Sequence, residues 1–202
     1  MSENTCNCEN CTVKPVGPGN VDNVNVIIEI RRGEGRNKYE LDKSTGRLTL
    51  DRVNGTTATY PADYGYIPGT LCEDGDPLDV LLVIDESIVH GVIVPSRPIG
   101  VLYMVDDGEA DEKLICVPSK DISKDHIKEV DDIDPSFKKR VEHFYKSYKA
   151  WKNDWQGTPV EYKGWGDAEA ARKVVADSIS RAKNKYLLNV ASAMPNSYNV
   201  SS

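Results

Sequence analysis

The chain has 202 residues, enough for one well-buried core without requiring a second domain. Its formal net charge of −7 and its pI near 5.1 argue against nucleic acid or an anionic membrane as the main partner. No stretch approaches the ~18 apolar residues of a spanning helix, and we expect no secretory signal at the polar N-terminus. The odd count of five cysteines favours a reducing compartment, so we expect a cytoplasmic protein.

Residues 1–22 are polar, rich in Asn, Gly and Pro, and without periodicity, which predicts a disordered N-terminal arm. Cys6, Cys8 and Cys11 in this arm have a spacing that suits a soft metal, but a fourth ligand is missing nearby. We therefore favour disorder over a metal site. Residues 23–186 are predicted to form one folded domain, and residues 187–202 a polar C-terminal tail.

The first part of the folded domain is predicted to be rich in strands. Apolar and β-branched segments predict strands over residues 24–30, 38–41, 47–53, 80–84, 92–104 and 113–117. A turn-rich link of hairpin length joins the second to the third. Pro95 and Pro98 in the longest strand imply edges or bulges. Residues 60–66, rich in Tyr, Gly and Pro, are predicted to be a loop.

The C-terminal third changes to a helical period. Asp134 is predicted to cap a helix beginning at Pro135, with apolar residues at helical spacing as far as Trp151. Asp167 is predicted to cap a second helix, which ends near Tyr186 in a basic segment favoured by the helix dipole. Strands followed by helices indicate an α+β fold, a small barrel or curled sheet flanked by two main C-terminal helices.

An acidic loop precedes the predicted strand at residues 80–84. Asp74, Asp76 and Asp79 fall within a short segment held by a glycine and a proline. Such close negative charges are unfavourable unless cations neutralise them, and oxygen-rich clusters suit Mg²⁺, Ca²⁺ or Mn²⁺. In an isolated loop of this kind a solvated turn is the commoner explanation. An EF-hand is excluded, because Asp79 stands where that motif needs glycine.

A second acidic loop follows the predicted strand at residues 92–104. It contains Asp106, Asp107, Glu109, Asp111 and Glu112. Two acidic loops at strand ends are what a site for several metal ions requires, although the second loop alone could be a solvated hairpin tip. The three histidines are not paired at ligand spacing, which argues against a zinc site. Nearby cations, each suited by itself to an ordinary surface position, are Lys38, Arg52, Lys113 and Lys149.

Together these motifs identify a resemblance. Residues 60–67, Tyr-Pro-Ala-Asp-Tyr-Gly-Tyr-Ile, followed by residues 74–80, Asp-Gly-Asp-Pro-Leu-Asp-Val, closely resemble the soluble family I inorganic pyrophosphatases. The acidic loop matches every position of that family's signature. The resemblance runs from about Val26 to Lys185, and several motifs in the right order are far more specific than one loop. The further matching segments are 28–30, 38–40, 51–52, 106–113, 148–149 and 164–165.

The resemblance implies a five-stranded, OB-like, closed or partly closed barrel that hydrolyses pyrophosphate to two orthophosphates. It implies several Mg²⁺ ions in each active site, with Mn²⁺ as a possible substitute, and Asp76 as acceptor of a proton from the attacking water. Tyr64 also matches a catalytic position, and Glu40 and Tyr60 match positions that support the centre. The implied metal ligands are Asp74, Asp79, Asp106, Asp111 and Glu29, and the implied phosphate-binding residues are Lys38, Arg52, Lys113, Tyr148 and Lys149.

Two other functions stay open at this point. One is a metal-dependent hydrolase of another phosphoanhydride, such as a nucleotide or short polyphosphate, because sequence hides the cavity shape that excludes larger substrates. The other is a non-catalytic barrel that retains the acidic loops. The resemblance favours a homo-oligomer, with a hexamer preferred and a dimer possible. His143 is only the first of two histidines that some hexamers use between subunits.

Overall fold

The computed structural model describes residues 16–42, 45–153 and 160–193. The strands in these ranges are β1 (Gly19–Asn20), β2 (Asn23–Ile30), β3 (Asn37–Asp42), β4 (Arg47–Val53), β5 (Asp63–Tyr66), β6 (Asp79–Leu82), β7 (Ile93–Asp106), β8 (Glu109–Ala110), β9 (Lys113–Pro118) and β10 (Glu161–Gly166). The helices are α1 (Ser136–Ser147) and α2 (Ala168–Ala193). Three short 3₁₀ helices lie at Ile122–Lys124, Val130–Asp132 and Ala150–Asn153.

Strands β2, β5, β6, β9 and β7 form a closed ring. Each pairs with the next in that order, and β7 returns to pair with β2. All of these pairings are antiparallel except the parallel one between β6 and β9. Strands β1, β8 and β10 extend the sheet at its margins, while β3 and β4 form a separate hairpin. The closed five-stranded barrel with helices confirms the predicted α+β class.

The two helices pack against opposite faces of the sheet. Successive strand residues point to opposite faces, and in β7 the buried Val101 and Leu102 contribute to two different apolar clusters. The cluster with Leu102 includes Phe137 and Phe144 of α1, whereas the cluster with Val101 includes Val175 of α2. Each helix therefore buries the apolar stripe that its sequence predicts.

The two predicted helix caps are confirmed. The Asp134 side chain accepts a hydrogen bond from the Ser136 amide at 2.9 Å, and Asp167 accepts one from the Ala170 amide at 2.8 Å. Each cap satisfies an amide at a helix start that has no partner within its own helix. In the longest strand, the register between β7 and β9 shifts at Pro98 and Gly100, the bulge that its prolines imply.

The prediction of a loop over residues 60–66 was wrong for its second half, since residues 63–66 form the central strand β5. Gly65 pairs with Ile28 on one side and with Val80 on the other. A Cβ atom at Gly65 would lie 1.9 Å from the carbonyl oxygen of Ile27. The glycine thus permits close approach of two strands and does not mark a turn.

Strand β10 was also missed. It pairs with β7 and contains an irregularity between Tyr162 and Gly164, where Gly164 has a φ of 116°. A short strand that is interrupted by glycine and has few apolar residues gives no clear alternation in the sequence. Its position at the edge of β7 becomes evident only when the partner strand is known.

Both predicted chain ends need correction. Helix α2 continues past Tyr186 to Ala193, because residues 187–193 are rich in the good helix formers Leu and Ala and contain no Gly or Pro. The end of the predicted N-terminal arm is folded, since β1 pairs with β2. Residues 1–15, with Cys6, Cys8 and Cys11, and residues 194–202 lie outside the described part of the chain. Neither helix within that part has the length and apolar character needed to cross a membrane.

Substitution Gly65→Ala is expected to lower the free energy of unfolding by about 3 kcal/mol or more, because the new methyl group would overlap the Ile27 carbonyl. Chemical denaturation followed by circular dichroism would measure this loss. Gly17→Ala is the matched control, since a Cβ atom at Gly17 meets nothing within 4 Å. Equal stabilities of the two variants would show that β2 and β5 are not so closely packed.

Candidate active site

One cavity of about 310 Å³ lies at the barrel mouth, where β6 and β9 begin and β7 ends. All of the residues that the sequence predicts for the site line this cavity. They are Glu29, Lys38, Glu40, Arg52, Tyr60, Tyr64, Asp74, Asp76, Asp79, Asp106, Asp111, Lys113, Tyr148 and Lys149. The structure therefore brings together residues that are far apart in sequence, from Glu29 to Lys149.

The acidic loop between β5 and β6 is closed by its own hydrogen bonds. The Cys72 amide donates to the Asp76 carbonyl at 2.7 Å, and the Asp76 amide donates to the Asp74 side chain at 2.9 Å. Gly75 between them has a φ of 91°, a conformation that side chains disfavour. This tight turn presents the carboxylates of Asp74 and Asp76 to the cavity, where both are exposed.

Lys113 is the buried cation at the centre of the site. The parallel pairing of β6 with β9 places Asp79 directly opposite Lys113, and the lysine Nζ lies 2.5 Å from Asp79 Oδ2. The same Nζ also contacts Asp111. Burial by itself would lower the pKa of Lys113, but the two carboxylates outweigh it and raise that pKa well above its usual range. Lys113 is therefore a charged residue even though its side chain is only 5% exposed.

Asp106, the last residue of β7, connects the barrel to the segment that follows α1. Its Oδ2 accepts a hydrogen bond from the Tyr148 hydroxyl at 2.7 Å and contacts Lys149 Nζ. Its Oδ1 is buried and has no hydrogen-bond partner among the described residues. An acceptor left in this state indicates a position prepared for a further positive group.

The β3–β4 hairpin provides the cations on the other side of the cavity. Its register pairs Lys38 with Arg52, so the two side chains arise next to each other. Asp51 lies 3.5 Å from Lys38 Nζ and 2.7 Å from Arg52 Nη1. Lys38 also contacts Glu40. These carboxylates hold both cations in place at the edge of the cavity.

Glu29 joins the hairpin to the barrel. Its side chain accepts a hydrogen bond from the Leu41 amide at 2.7 Å, and the residue is only 6% exposed. Burial raises the pKa of Glu29 to about 7, even though the bond from Leu41 opposes this shift. A carboxylate in these surroundings gains from a nearby cation.

Aromatic side chains form the floor of the cavity and fasten α1 to it. The ring of Tyr60 lies 5.0 Å from that of Tyr64 and 4.6 Å from that of Phe144, between ring centroids. Burial raises the pKa values of Tyr60 and Tyr64, so both hydroxyls keep their protons and can donate hydrogen bonds. The same cluster positions Tyr148, whose ring lies 5.1 Å from Phe144.

Sequence reasoning missed Tyr145, which also lines the cavity. Its hydroxyl is buried and has no hydrogen-bond partner in the described part of the chain, and its ring lies 5.8 Å from Lys113 Nζ. The helical period of α1 indicates a core position, and no local signal distinguishes a core tyrosine from one beside a cavity. Other lining residues that were not assigned to the site are Leu41, Tyr66, Pro77, Asp107 and Glu109.

The donor set of the cavity fits hard divalent cations. Its carboxylate oxygens are the ligands that Mg²⁺ and Mn²⁺ prefer, and the unpaired Asp106 Oδ1 is one acceptor that a cation would satisfy. No three His, Cys, Asp or Glu side chains within residues 16–42, 45–153 and 160–193 are grouped closely enough to hold one ion. Instead, the ammonium groups of Lys113 and Lys149 lie between the carboxylates and balance their charge.

The barrel and its cavity define a class of protein that binds a compact polyanion between basic side chains and carboxylates. A sequence model of the inorganic pyrophosphatase family matches residues 26–183. The inorganic pyrophosphatase of Rickettsia prowazekii is 46% identical over 164 residues, which cover 80% of this chain and 94% of that protein. That of Haemophilus ducreyi is 42% identical over 171 residues, with 84% and 96% covered.

Solved structures agree with these relatives. The crystal structure of the inorganic pyrophosphatase from Thermus thermophilus matches with a TM-score of 0.77 and 40% identity, covering 84% of this chain and 97% of that one. The inorganic pyrophosphatase from Neisseria gonorrhoeae matches with a TM-score of 0.78 and 37% identity, covering 84% and 98%. The chain belongs to the inorganic pyrophosphatase family.

Substitution Tyr145→Phe is expected to raise the free energy of unfolding by about 1 kcal/mol, because it removes a buried hydroxyl that has no partner. Tyr162→Phe is the matched control and is expected to lower it by about as much, since the Tyr162 hydroxyl donates to the Glu142 carbonyl. Denaturant titrations without divalent cations would measure both. If Tyr145→Phe lost as much stability as the control, the Tyr145 hydroxyl would have a hydrogen-bond partner and the prediction would be wrong.

Proposed function

We propose that this chain hydrolyses inorganic pyrophosphate to two orthophosphates with several Mg²⁺ ions, and that Asp76 accepts a proton from the attacking water. The observation that carries the proposal is the convergence of carboxylates, cations and tyrosines from distant elements on one small cavity. Membership of the inorganic pyrophosphatase family supports the same reaction. Mn²⁺ is the expected substitute cation.

Substrate binding rests on the two basic walls of the cavity. Arg52 and Lys38 of the hairpin face one end of the substrate, and Lys113, Tyr148 and Lys149 face the other. Pyrophosphate carries several negative charges on a compact frame, and directed donors stabilise such charge best in a site that excludes water. The leaving phosphate gains charge as the bridging bond breaks, so these side chains act most strongly at that point.

The cations are held by the carboxylates of the acidic loops and of β2, namely Asp74, Asp79, Asp106, Asp111 and Glu29. When bound, Mg²⁺ screens the charge of the phosphoanhydride and makes the attacking water more acidic. From sequence alone, a solvated turn is the commoner explanation of the loop carboxylates. The binding of cations gives these carboxylates a function. Bound cations would make the charge of the acidic site positive, which explains how an acidic protein binds an anion.

Asp76 is the best candidate for the proton acceptor. It is presented at the tip of the acidic loop, it is exposed to the cavity, and it lies between two of the proposed ligands in sequence. A carboxylate so placed can take a proton from a water molecule in the cavity. Tyr64, with its raised pKa, acts as a fixed hydrogen-bond donor near Asp79, and Tyr60 and Glu40 keep the donors and cations in place.

The compartment and the assembly are part of the proposal. A reducing cytoplasm suits Cys72 and Cys116, which are buried free thiols. A homo-oligomer, with a hexamer preferred over a dimer, follows from the family resemblance alone. Sedimentation of the purified chain would measure the assembly directly.

Phosphate release from pyrophosphate is expected to require Mg²⁺, to stop on chelation, and to continue more weakly with Mn²⁺. ATP is expected to be a poor substrate with Mg²⁺, because the cavity of about 310 Å³ is small and lined by charged side chains. A colorimetric phosphate assay with each substrate and each cation would test this. Faster release from ATP than from pyrophosphate would favour a nucleotide hydrolase, and no release from any phosphoanhydride would favour a non-catalytic barrel.

Substitution Asp76→Asn is expected to lower turnover by at least about 100-fold, the scale of general-base loss, while Mg²⁺ binding is largely kept. Steady-state kinetics at saturating Mg²⁺ and calorimetric titration of Mg²⁺ would measure the two effects. Glu86→Gln is the control, because it removes one exposed carboxylate at a residue that does not line the cavity. Turnover at the level of the control would remove Asp76 from this role.

A further inference from the structure

None of the described side chains of helix α2 lines the cavity, yet the helix holds the start of the acidic loop. The Leu71 amide donates to the Ser178 carbonyl at 3.0 Å, and Nη1 of Arg181 donates to the Leu71 carbonyl at 2.7 Å. Both backbone polar groups of Leu71 are therefore bonded to α2. Nη2 of the same guanidinium lies 3.7 Å from a carboxylate oxygen of Glu73.

Between this anchor and the proposed catalytic residue, the loop is held together by its own hydrogen bonds. The Cys72 amide donates to the Asp76 carbonyl at 2.7 Å, and the Gly75 amide donates to the Cys72 carbonyl at 3.2 Å. The Asp76 amide donates to the side chain of Asp74. Because these bonds fix residues 72–76 relative to one another, a displacement of Leu71 is passed to both carboxylates.

The far end of the loop is bonded to the residues that follow β5, including Thr70 next to Leu71. The Leu78 amide donates to Oγ1 of Thr70 at 2.9 Å, and the Ile67 amide donates to the Leu78 carbonyl at 3.0 Å. Asp79 follows directly as the first residue of β6. The separation between the loop carboxylates and Asp79 therefore depends on two sets of bonds, one to the residues just after β5 and one to α2.

The guanidinium of Arg181 makes two contacts with the loop. Its hydrogen bond to the Leu71 carbonyl is stronger than its ion pair with Glu73. The pair with Glu73 is long, and the Glu73 side chain is 67% exposed, so solvent screens it. A hydrogen bond from a charged guanidinium is about twice as strong as a neutral one. The rigid fork of arginine also spans the carbonyl and the carboxylate together, which a lysine cannot do.

We propose that Arg181 is a positioning residue of the active site: by holding Leu71, it sets the placement of Asp74 and Asp76 relative to Asp79. This inference rests on the proposed function, because it assigns Arg181 a task in the binding of divalent cations and in the reaction. Arg181 itself does not line the cavity.

The test compares Arg181→Ala with Arg172→Ala in the full chain. Both residues lie on α2, both side chains are 39% exposed, and both pair with an exposed carboxylate, but Arg172 pairs with Asp22, away from the acidic loop. Direct titration of Mn²⁺ without substrate, followed by the electron paramagnetic resonance of the free ion, measures the affinity of the site for cations. Amide hydrogen exchange over residues 70–76 measures the order of the loop.

Arg181→Ala is expected to weaken Mn²⁺ binding by about tenfold, the effect of losing one charge-assisted hydrogen bond. It is expected to raise the Mg²⁺ concentration for half-maximal phosphate release by a similar factor, and to speed exchange within residues 70–76 only. Arg181→Lys, which keeps a charged donor, is expected to recover part of each effect. Arg172→Ala is expected to match the unsubstituted chain in all three measurements.

Two results would overturn the inference. One is an Arg181→Ala variant that binds Mn²⁺ as the Arg172→Ala control does. The other is faster exchange spread over the whole chain, which would make the arginine a general stabilising residue. Absence of phosphate release by the unsubstituted chain would count against the proposed function instead, and the Mn²⁺ titration and the exchange measurement would still decide the role of Arg181.

Discussion

The buried charge of Lys113 is the constraint on which the site depends. An ammonium group taken out of water is costly unless carboxylates surround it, and here Asp79 and Asp111 do so. Asp79 faces Lys113 because β6 and β9 run parallel and in that register, which closure of the barrel enforces. A slip of β6 by one residue would turn Asp79 to the opposite face and take one of the two carboxylates away from Lys113. The arrangement of charges and the closure of the barrel therefore stabilise each other.

The remaining cations of the cavity follow the same rule, since each is held by a carboxylate before any ligand arrives. Lys149 lies against Asp106 and Asp107, and Lys38 and Arg52 share Asp51. An incoming polyanion with divalent cations would thus replace existing partners: phosphate oxygens for the basic groups, and cations for the acids. Such an exchange avoids burying new unpaired charge, and it lets the donors be oriented in advance. Among the described residues, Oδ1 of Asp106 is a carboxylate oxygen of the cavity that is buried without a hydrogen-bond partner.

Features that depend on neighbours in sequence were predictable, and features that depend on neighbours in space were not. The acidic loop, the helix caps at Asp134 and Asp167 and the apolar stripes are local patterns, and the structure contains them. Gly65 suggests a turn until β2 is known to lie against it. The site residues themselves were assigned through the family resemblance, because charge spacing alone left a solvated turn as the commoner explanation. Tyr145 shows the remaining gap, since a helical period does not reveal which core position borders a cavity.

The two helices contribute to the site in different ways. Tyr148 and Lys149 follow directly after helix α1, and the aromatic residues of α1 pack directly beneath the cavity. Helix α2 packs on the other face of the sheet and contacts the acidic loop at the backbone of Leu71 and the side chain of Glu73. Its contacts with the loop, at Ser178 and Arg181, fall within the region that matches the family, whereas the exposed Leu187 and Leu188 lie beyond it. The loop anchor therefore lies in the part of α2 that packs on the barrel.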